Sequence, residues 1–178
     1  MSRPLKPPLR LVALVLALAA VPASLLVRRA VSDDDSINPL HAGAAPSFQL
    51  RSVDGQPVGL DELSGRPVVV NFWGSWCHQC RLELPLLAEA ARRHPEVALV
   101  GVLYRDAPAD AARAAEEHGA RWPMLVDPDG KVARAYGVES APATFFIRPD
   151  GTIAADLIGP VSIGIVERAL EKILTPPK

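Results

Sequence analysis

Residues 71 to 80 read Asn-Phe-Trp-Gly-Ser-Trp-Cys-His-Gln-Cys, and this stretch decides the fold. Its first three residues are the end of an apolar run over 67–73. The β-branched and aromatic residues of this run predict a buried central strand with Trp73 in the core. A helix is predicted from Cys77 to Arg93, because apolar residues recur there near helical spacing: Leu82, Leu84, Leu86, Leu87, Ala90 and Ala91. Cys77 is therefore expected at a strand-to-helix turn.

This position predicts a reactive cysteine. Unpaired backbone N–H groups and the helix dipole at a helix N-terminus favour a thiolate over a thiol. Cys80 follows one helical turn later, within reach of a disulfide with Cys77. The pattern favours dithiol–disulfide exchange, with the Cys77–Cys80 pair as the redox group and no further cofactor.

Two other interpretations of the pair are weaker. A structural disulfide between residues three apart restricts the unfolded chain very little. A zinc site needs more ligands than two thiolates, and the histidines at 41, 78, 94 and 118 show no ligand spacing, so no metal site is expected. His78 is either an exposed spacer or, when protonated, a charge that makes the pair more oxidising.

Composition sets limits on the partners. The chain has 178 residues, 49% of them hydrophobic, and a formal net charge of −1, which fits one domain with an appendage. The body of the chain contains no basic cluster interleaved with aromatic residues, which argues against nucleic-acid binding. The expected partners are proteins or small thiols.

The N-terminus predicts a membrane segment. Residues 11–27 are apolar or small apart from Ser24, and basic residues flank them at positions 3, 6, 10, 28 and 29. Their length fits either a short spanning helix or a cleaved signal peptide with a cleavage site near 21–23. The apolar run continues past that site, which favours a signal-anchor over residues 1–29. The basic bias places the following chain on the extracytoplasmic side of the cell membrane, as a single-pass protein.

Residues 30–45 have loop composition and predict a flexible tether, followed by a folded domain over 46–176. Its predicted elements are a β-hairpin in 48–60, strands at 97–103 and 124–126, a helix at 109–118, a β-hairpin over 143–157 and a final helix at 162–174. The first strand, the cysteine helix and strand 97–103 form a parallel β-α-β unit.

This order of elements, with Cys-x-x-Cys at the first strand-to-helix turn, resembles the thioredoxin fold. The stretch VVVNFWGSWCHQCRLELP at 68–85 is similar to the active-site segment of the membrane-tethered, extracytoplasmic TlpA/ResA group. Four further stretches are most similar to the CcmG/DsbE family of cytochrome c maturation: GVLYRD at 101–106, YGVESAPATFFI at 136–147, DGTI at 150–153 and IGPVS at 158–162. The resemblance covers residues 44–174. It implies an α/β thioredoxin-like fold with a central mixed sheet, flanking helices, an N-terminal β-hairpin and a central αβ insertion, behind the membrane segment.

The resemblance assigns roles to the residues around the pair. It makes Cys77 the attacking thiol and Cys80 the resolving one. Pro142 matches a proline that follows a cis peptide bond and lies against the cysteines, although an ordinary turn proline would also fit the sequence. The backbone of Ala141 would then offer an edge to a substrate strand, and Trp76 and Thr144 are expected to border the same groove.

Four further positions concern protons and potential. Glu83 matches an active-site acid of this group that could exchange a proton with the thiols; otherwise it is a solvated helix residue. Asn71 stands where many thioredoxins carry a buried aspartate, and an amide cannot exchange a proton. His78 and Gln79 depart from the group, which often has proline in the second place. Asn71, His78 and Gln79 are therefore expected to tune the redox potential.

The resemblance implies a reductant of apocytochrome c cysteines that is recharged by a membrane carrier of the DsbD/CcdA type. One alternative is a general TlpA-like reductase with other substrates. Another is a copper-binding assembly chaperone of the Sco type; these resemble Cys-x-x-x-Cys with a distant histidine, whereas this chain has no histidine after His118. The residues 74–77 lack the threonine and proline pattern of a peroxidatic cysteine, which disfavours a peroxiredoxin.

Overall fold

The computed structural model describes residues 39–175. Within this range the strands are β1 (Gly43–Ala44), β2 (Gln49–Ser52), β3 (Pro57–Gly59), β4 (Val68–Trp73), β5 (Ala98–Leu103), β6 (Met124–Val126), β7 (Ala143–Ile147) and β8 (Thr152–Ile158). The α-helices are α1 (His78–Arg93), α2 (Pro108–Glu117), α3 (Lys131–Ala135) and α4 (Ile163–Leu174), and a 3₁₀ helix spans Asp61–Leu63.

The strands form one mixed sheet in the order β1-β8-β7-β4-β5-β6-β2-β3. Strand β4 lies near its centre, parallel to β5 and antiparallel to β7. All six residues of β4 are buried, as expected for a strand with packed layers on both faces. Because successive side chains of a strand point to opposite faces, β4 contributes to two separate cores.

One core lies on the face that carries Val68, Val70 and Phe72, where Phe72, Tyr136 and Phe145 pack their rings together. The opposite face carries Val69 and Trp73 and packs against α1, α2 and α4. Trp73 is fully buried there, as predicted. The two cysteines join this second layer at its end, so the redox pair is attached directly to a packed core.

The predicted elements agree with the structure to within one or two residues, and the architecture is the thioredoxin-like α/β fold expected from the sequence. The N-terminal hairpin pairs β2 with β3, and β2 then joins the main sheet by pairing with β6. Strand β6 follows α2, so the predicted αβ insertion is what connects the hairpin to the central strands.

The folded domain begins earlier than the predicted boundary between tether and domain. Residues 40–45, expected to belong to the tether, are part of the folded unit. Strand β1 pairs antiparallel with β8. The Leu40 N–H donates to Asp156 Oδ1 at 2.6 Å, and His41 Nδ1 lies 2.5 Å from Asp156 Oδ2. The carboxylate of Asp156 is completely buried, so these contacts provide it with hydrogen-bond partners.

The predicted membrane segment over residues 1–29, with its apolar stretch 11–27, lies outside the described residues. Between residues 39 and 175, no helix combines the length and the apolar character needed to cross a bilayer.

Candidate active site

Cys77 and Cys80 form a disulfide at the start of α1, with their Cα atoms 5.2 Å apart. Cys77 is the N-cap residue of this helix, and its Sγ accepts a hydrogen bond from the Cys80 N–H at 3.1 Å. Cys77 is 7% exposed, whereas Cys80 is 1% exposed. A substrate sulfur can therefore approach Cys77 more easily than Cys80.

The loop that precedes β7 lies against this pair. The Ala141–Pro142 peptide bond is cis, as the resemblance predicted. The carbonyl oxygen of Ala141 lies 3.7 Å from Cys77 Sγ, and the carbonyl oxygen of Pro142 accepts a hydrogen bond from Gly159 N–H at 2.9 Å. Pro142 is buried and Ala141 is partly exposed, so part of Ala141 can be reached from solvent beside the reactive sulfur.

Three other predicted residues lie at the surface of the site. Trp76 is 55% exposed, and its indole N–H donates to the carbonyl oxygen of Tyr104 at 3.3 Å. His78 and Gln79 occupy the first turn of α1 and are both exposed. This position leaves Trp76 available to a substrate and leaves both inter-cysteine side chains in solvent.

Glu83 lies beneath the surface, one helical turn beyond Cys80. It is 2% exposed, so it is not the solvated helix residue that the sequence left open. Burial raises the pKa of Glu83 to about 7, and a hydrogen bond from the Thr144 hydroxyl opposes part of this rise. A carboxyl group with this pKa changes protonation state close to neutral pH, as a proton acceptor for a thiol requires.

The position of the Thr144 side chain differs from the prediction. It was expected to border the substrate groove, but its side chain is 1% exposed and does not reach the surface. Its hydroxyl donates to Glu83 Oε1 at 3.0 Å and accepts from Asn71 Nδ2 at 2.9 Å. Asn71, also 1% exposed, thus lies in one buried chain of hydrogen bonds with Thr144 and Glu83.

The sequence did not predict a role for three residues of this site, namely Ser75, Tyr104 and Asp106. Asp106 accepts two hydrogen bonds from Ser75, which lies two residues before Cys77. The Tyr104 hydroxyl donates to the carbonyl oxygen of Glu139 at 2.7 Å, in the loop that leads to Pro142. Tyr104 and Asp106 belong to the GVLYRD stretch at 101–106. This stretch indicates the family, but its sequence alone does not show which residues it contacts.

The arrangement can carry out thiol–disulfide exchange: a partly exposed sulfur at a helix N-terminus, a buried second sulfur and a buried acid near neutrality. Across residues 39–175, no three side chains of histidine, cysteine, aspartate or glutamate are grouped as metal ligands.

Comparison with known proteins agrees with this chemistry. A family model described as the AhpC/TSA family matches residues 42–156. The thiol-disulfide oxidoreductase ResA of Bacillus subtilis is 30% identical over 124 residues, which cover 68% of this chain and 69% of that protein. ResA of Oceanobacillus iheyensis is also 30% identical, over 80% of this chain and 77% of its own length.

Two solved structures add to the comparison. A secreted Mycobacterium tuberculosis disulfide oxidoreductase, homologous to E. coli DsbE, is 28% identical with a TM-score of 0.64, covering 69% of this chain and 93% of its own. M. tuberculosis DsbF, in mixed oxidised and reduced forms, is 29% identical with a TM-score of 0.69, covering 75% and 99%. The chain therefore belongs to the AhpC/TSA family of thioredoxin-like proteins and is a thiol-disulfide oxidoreductase of the ResA and DsbE type.

Proposed function

We propose that this oxidoreductase works as a membrane-anchored reductant outside the cytoplasm and reduces the cysteines of apocytochrome c before haem attachment. The observation that supports disulfide exchange with a protein most directly is the unequal exposure of the pair, because Cys77 is 7% exposed and Cys80 is 1% exposed. The stretch 101–106 and the loop around Pro142 provide the likeness to the cytochrome c maturation branch.

In the first step the Cys77 thiolate attacks a substrate disulfide. The helix N-terminus and the Cys80 N–H, which donates to Cys77 Sγ in the oxidised form, stabilise negative charge on this sulfur. A bond forms between Cys77 and one substrate sulfur, and the other substrate sulfur leaves as a thiolate. The product is a mixed disulfide.

In the second step Cys80 resolves the mixed disulfide. Its S–H bond breaks, the thiolate attacks Cys77 Sγ, and the second substrate sulfur leaves with the electron pair. The protein ends in the oxidised state that the structure contains. Glu83 acts as the base for Cys80 in this step, because it is buried one helical turn away with a pKa of about 7.

The substrate is held beside Cys77 by the exposed ring of Trp76 and by the backbone at Ala141, whose carbonyl oxygen lies 3.7 Å from the reactive sulfur. An extended substrate segment pairs with this backbone edge, and its side chains contact Trp76. Exposed His78 and Gln79, together with buried Asn71, set the redox potential of the pair.

The apolar stretch 11–27 anchors the protein, and the domain faces the extracytoplasmic side. A DsbD/CcdA-type membrane carrier returns electrons to the Cys77–Cys80 disulfide. The pair needs no other cofactor or metal for this cycle.

Two measurements test the proposal. The reduction potential of the Cys77–Cys80 pair should lie well below about −120 mV, the value of a strong oxidant, and a potential at that level would contradict a reducing role. Deletion of the gene should remove covalently bound haem from c-type cytochromes.

Normal c-type cytochromes in the deletion strain would favour a general reductase with other substrates. Stoichiometric copper binding by the protein, without turnover in disulfide exchange, would instead favour a copper chaperone.

A further inference from the structure

Both neighbours of Arg105 are hydrogen-bonded to residues 73–76, the turn that presents the reactive sulfur. The Tyr104 N–H donates to the carbonyl oxygen of Trp73 at 2.8 Å, and the Tyr104 carbonyl oxygen accepts a second hydrogen bond from the same turn. Asp106 accepts two hydrogen bonds from this turn. Arg105 is therefore held at the rim of the redox site.

The Tyr104 side chain connects this rim to the loop on the other side of the cysteines. Its hydroxyl donates to the carbonyl oxygen of Glu139 at 2.7 Å, in the loop that leads to Pro142. The exposed Arg105 guanidinium lies over the Tyr104 ring, 5.0 Å from its centroid, within the range of a cation–π contact. A positive charge thus lies on the side chain that joins the two loops flanking the reactive sulfur.

Arg105 has a backbone conformation that residues with side chains rarely adopt. Its φ is 51°, and between residues 39 and 175 every other residue with a positive φ is a glycine. Left-handed φ values crowd the Cβ atom against the backbone, and glycine avoids this cost. Strained residues of this kind cluster at sites that bind ligands or catalyse reactions. The strain at Arg105 is consistent with a side chain kept for binding.

Arg105 lines a cleft of about 250 Å³ at the carboxyl ends of β5 and β6, and Arg134 of α3 lines the same cleft. The acidic residues of the cleft already have partners. The Asp127 carboxylate accepts two backbone N–H groups at the start of α3, at 3.3 and 2.9 Å. The Asp129 carboxylate lies 3.1 Å from the Lys131 ammonium nitrogen. Within the described part of the chain, neither acid forms an ion pair with an arginine of the cleft.

The two guanidinium groups therefore keep donors available. Arg134 donates a hydrogen bond to the carbonyl oxygen of Asp129 at 2.8 Å. Arg105 has neither a hydrogen bond nor an ion pair with any residue between 39 and 175. A guanidinium has five N–H donors and binds a carboxylate through two parallel hydrogen bonds. The cleft thus offers positive charge and donors to an acid that the described residues do not provide.

We propose that Arg105 is a specificity-determining residue that binds an acidic side chain of the protein substrate, with Arg134 adding positive charge to the same cleft. Protein disulfides with an aspartate or glutamate nearby are then preferred at Cys77. The acid is bound while its neighbouring cysteine exchanges, and Arg105 takes no part in bond making or breaking. This inference names a substrate class for the proposed function and rests on its claim that the substrate is a protein disulfide.

The test uses peptides that carry one cysteine in a mixed disulfide with thiopyridine. Attack of the Cys77 thiolate on the peptide sulfur releases thiopyridone, and Cys80 then forms the Cys77–Cys80 disulfide and releases the peptide as a thiol. The full chain, reduced and in neutral detergent, is mixed with each peptide. The second-order rate constant of thiopyridone release is measured and divided by that of dithiothreitol with the same peptide.

The peptides form pairs that differ by a single charge. One glutamate is moved stepwise along the peptide away from the cysteine, and each peptide has a partner with glutamine at the same position. At low salt at least one glutamate peptide should react about fivefold faster than its partner, as expected for an exposed ion pair. Raising the salt to about 1 M, where the Debye length is about 3 Å, should remove the difference.

Substitutions assign this difference to Arg105. Arg105→Gln should remove it, and Arg105→Lys should keep part of it, because an ammonium group retains the charge but not the paired donors. Arg121→Gln is the matched control and should keep the full difference. Arg121 is exposed, has no ion pair within the described residues, and precedes β6 at the opposite edge of the sheet. A full difference in folded Arg105→Gln would contradict the proposal.

Arg105→Gly provides a second variant in case Arg105→Gln is unstable. Glycine tolerates a φ of 51°, so this variant should unfold at no lower urea concentration than the wild type. It should still lose the preference for glutamate peptides. A glycine variant that keeps this preference would also contradict the proposal.

Other roles of Arg105 give different patterns of rates. A guanidinium that only stabilised the Cys77 thiolate would speed both peptides of a pair equally. An internal ion pair with Glu139 would make Glu139→Gln lose the preference as well, whereas binding of a substrate acid predicts that Glu139→Gln keeps or increases it. Equal rates in every wild-type pair would overturn this inference and leave disulfide exchange intact. A wild-type protein that reacts with none of the peptides would overturn the proposed function, and this inference with it.

Discussion

Asp106 accepts two hydrogen bonds from Ser75, one from the backbone N–H at 2.5 Å and one from the hydroxyl at 2.9 Å. Ser75 lies in the turn that leads from β4 to Cys77, and Asp106 follows the end of the neighbouring strand β5. The Arg81 guanidinium donates to the Ser75 carbonyl oxygen at 2.7 Å. The turn that presents Cys77 is thus held from two sides by charged groups.

Asp106→Ala should therefore loosen the turn before Cys77. Hydrogen bonds to a charged group contribute about 2 kcal/mol, so the variant should lose about that much free energy of unfolding, and it should exchange disulfides more slowly. Denaturant unfolding and reduction of a model disulfide measure the two effects.

Asp110→Ala is the matched control, because Asp110 pairs with Arg113 on the exposed side of α2. An exposed pair contributes less than about 1 kcal/mol. Equal effects of the two substitutions would contradict the anchoring role of Asp106.

Two buried tyrosines offer a matched pair of substitutions. The Tyr104 hydroxyl donates to Glu139, whereas the Tyr136 hydroxyl has no hydrogen-bond partner within the described residues. Tyr104→Phe should cost about 1 kcal/mol and slow exchange, because the loop before Pro142 loses its support. Tyr136→Phe should be neutral or stabilising, since it removes an unsatisfied buried group. Thermal or urea unfolding of both variants decides whether the order is as stated.

The two cysteines should behave differently on substitution. Cys80→Ser leaves Cys77, the more exposed of the two cysteines, without its resolving partner, so a covalent complex with a disulfide-bearing protein should accumulate and be visible on a non-reducing gel. Cys77→Ser should form much less of this complex, because the remaining sulfur is 1% exposed. Similar amounts of complex from both variants would show that the assignment of attacking and resolving sulfur is wrong.

Glu83 predicts a pH dependence of stability. Its pKa is about 7 in the folded protein against 4.5 for an ordinary glutamate. The folded state binds this proton more tightly than the unfolded chain, so the contribution is complete below pH 4.5 and is lost as the pH rises through 7. The loss amounts to about 3 kcal/mol.

Urea unfolding at pH 5 and pH 8 measures this contribution. Glu83→Gln should gain stability relative to the wild type at pH 8 and lose most of that advantage at pH 5. Glu116→Gln, at an exposed position on α2, should follow the wild type at both values. A Glu83→Gln profile that runs parallel to the wild type would contradict the raised pKa.

The sequence predicted those elements whose pattern is local. Strand β4, the hairpin of β7 and β8 and helix α4 each carry a long apolar or amphipathic run, and each was found where expected. The disulfide and the cis bond before Pro142 followed from spacing and resemblance.

Features that depend on distant contacts could not be predicted. Strand β1 has two residues, and His41 meets Asp156 across 115 positions of the chain. On α1 the pattern placed Leu82 with the apolar residues, yet Leu82 is 57% exposed and Glu83 is buried. The burial of Glu83 depends on Thr144, 61 positions away, so no local periodicity contains it.

The Asn71–Thr144 hydrogen bond also defines the register between β4 and β7. A slip by one residue would turn every side chain of β7 to the other face, and a slip by two would leave both polar groups buried without this bond, at about 1–3 kcal/mol each. Strand β4 leads into the turn of Cys77, and β7 begins directly after Pro142. The same hydrogen bond therefore keeps the reactive sulfur and the Ala141 carbonyl oxygen at one level of the sheet, 3.7 Å apart.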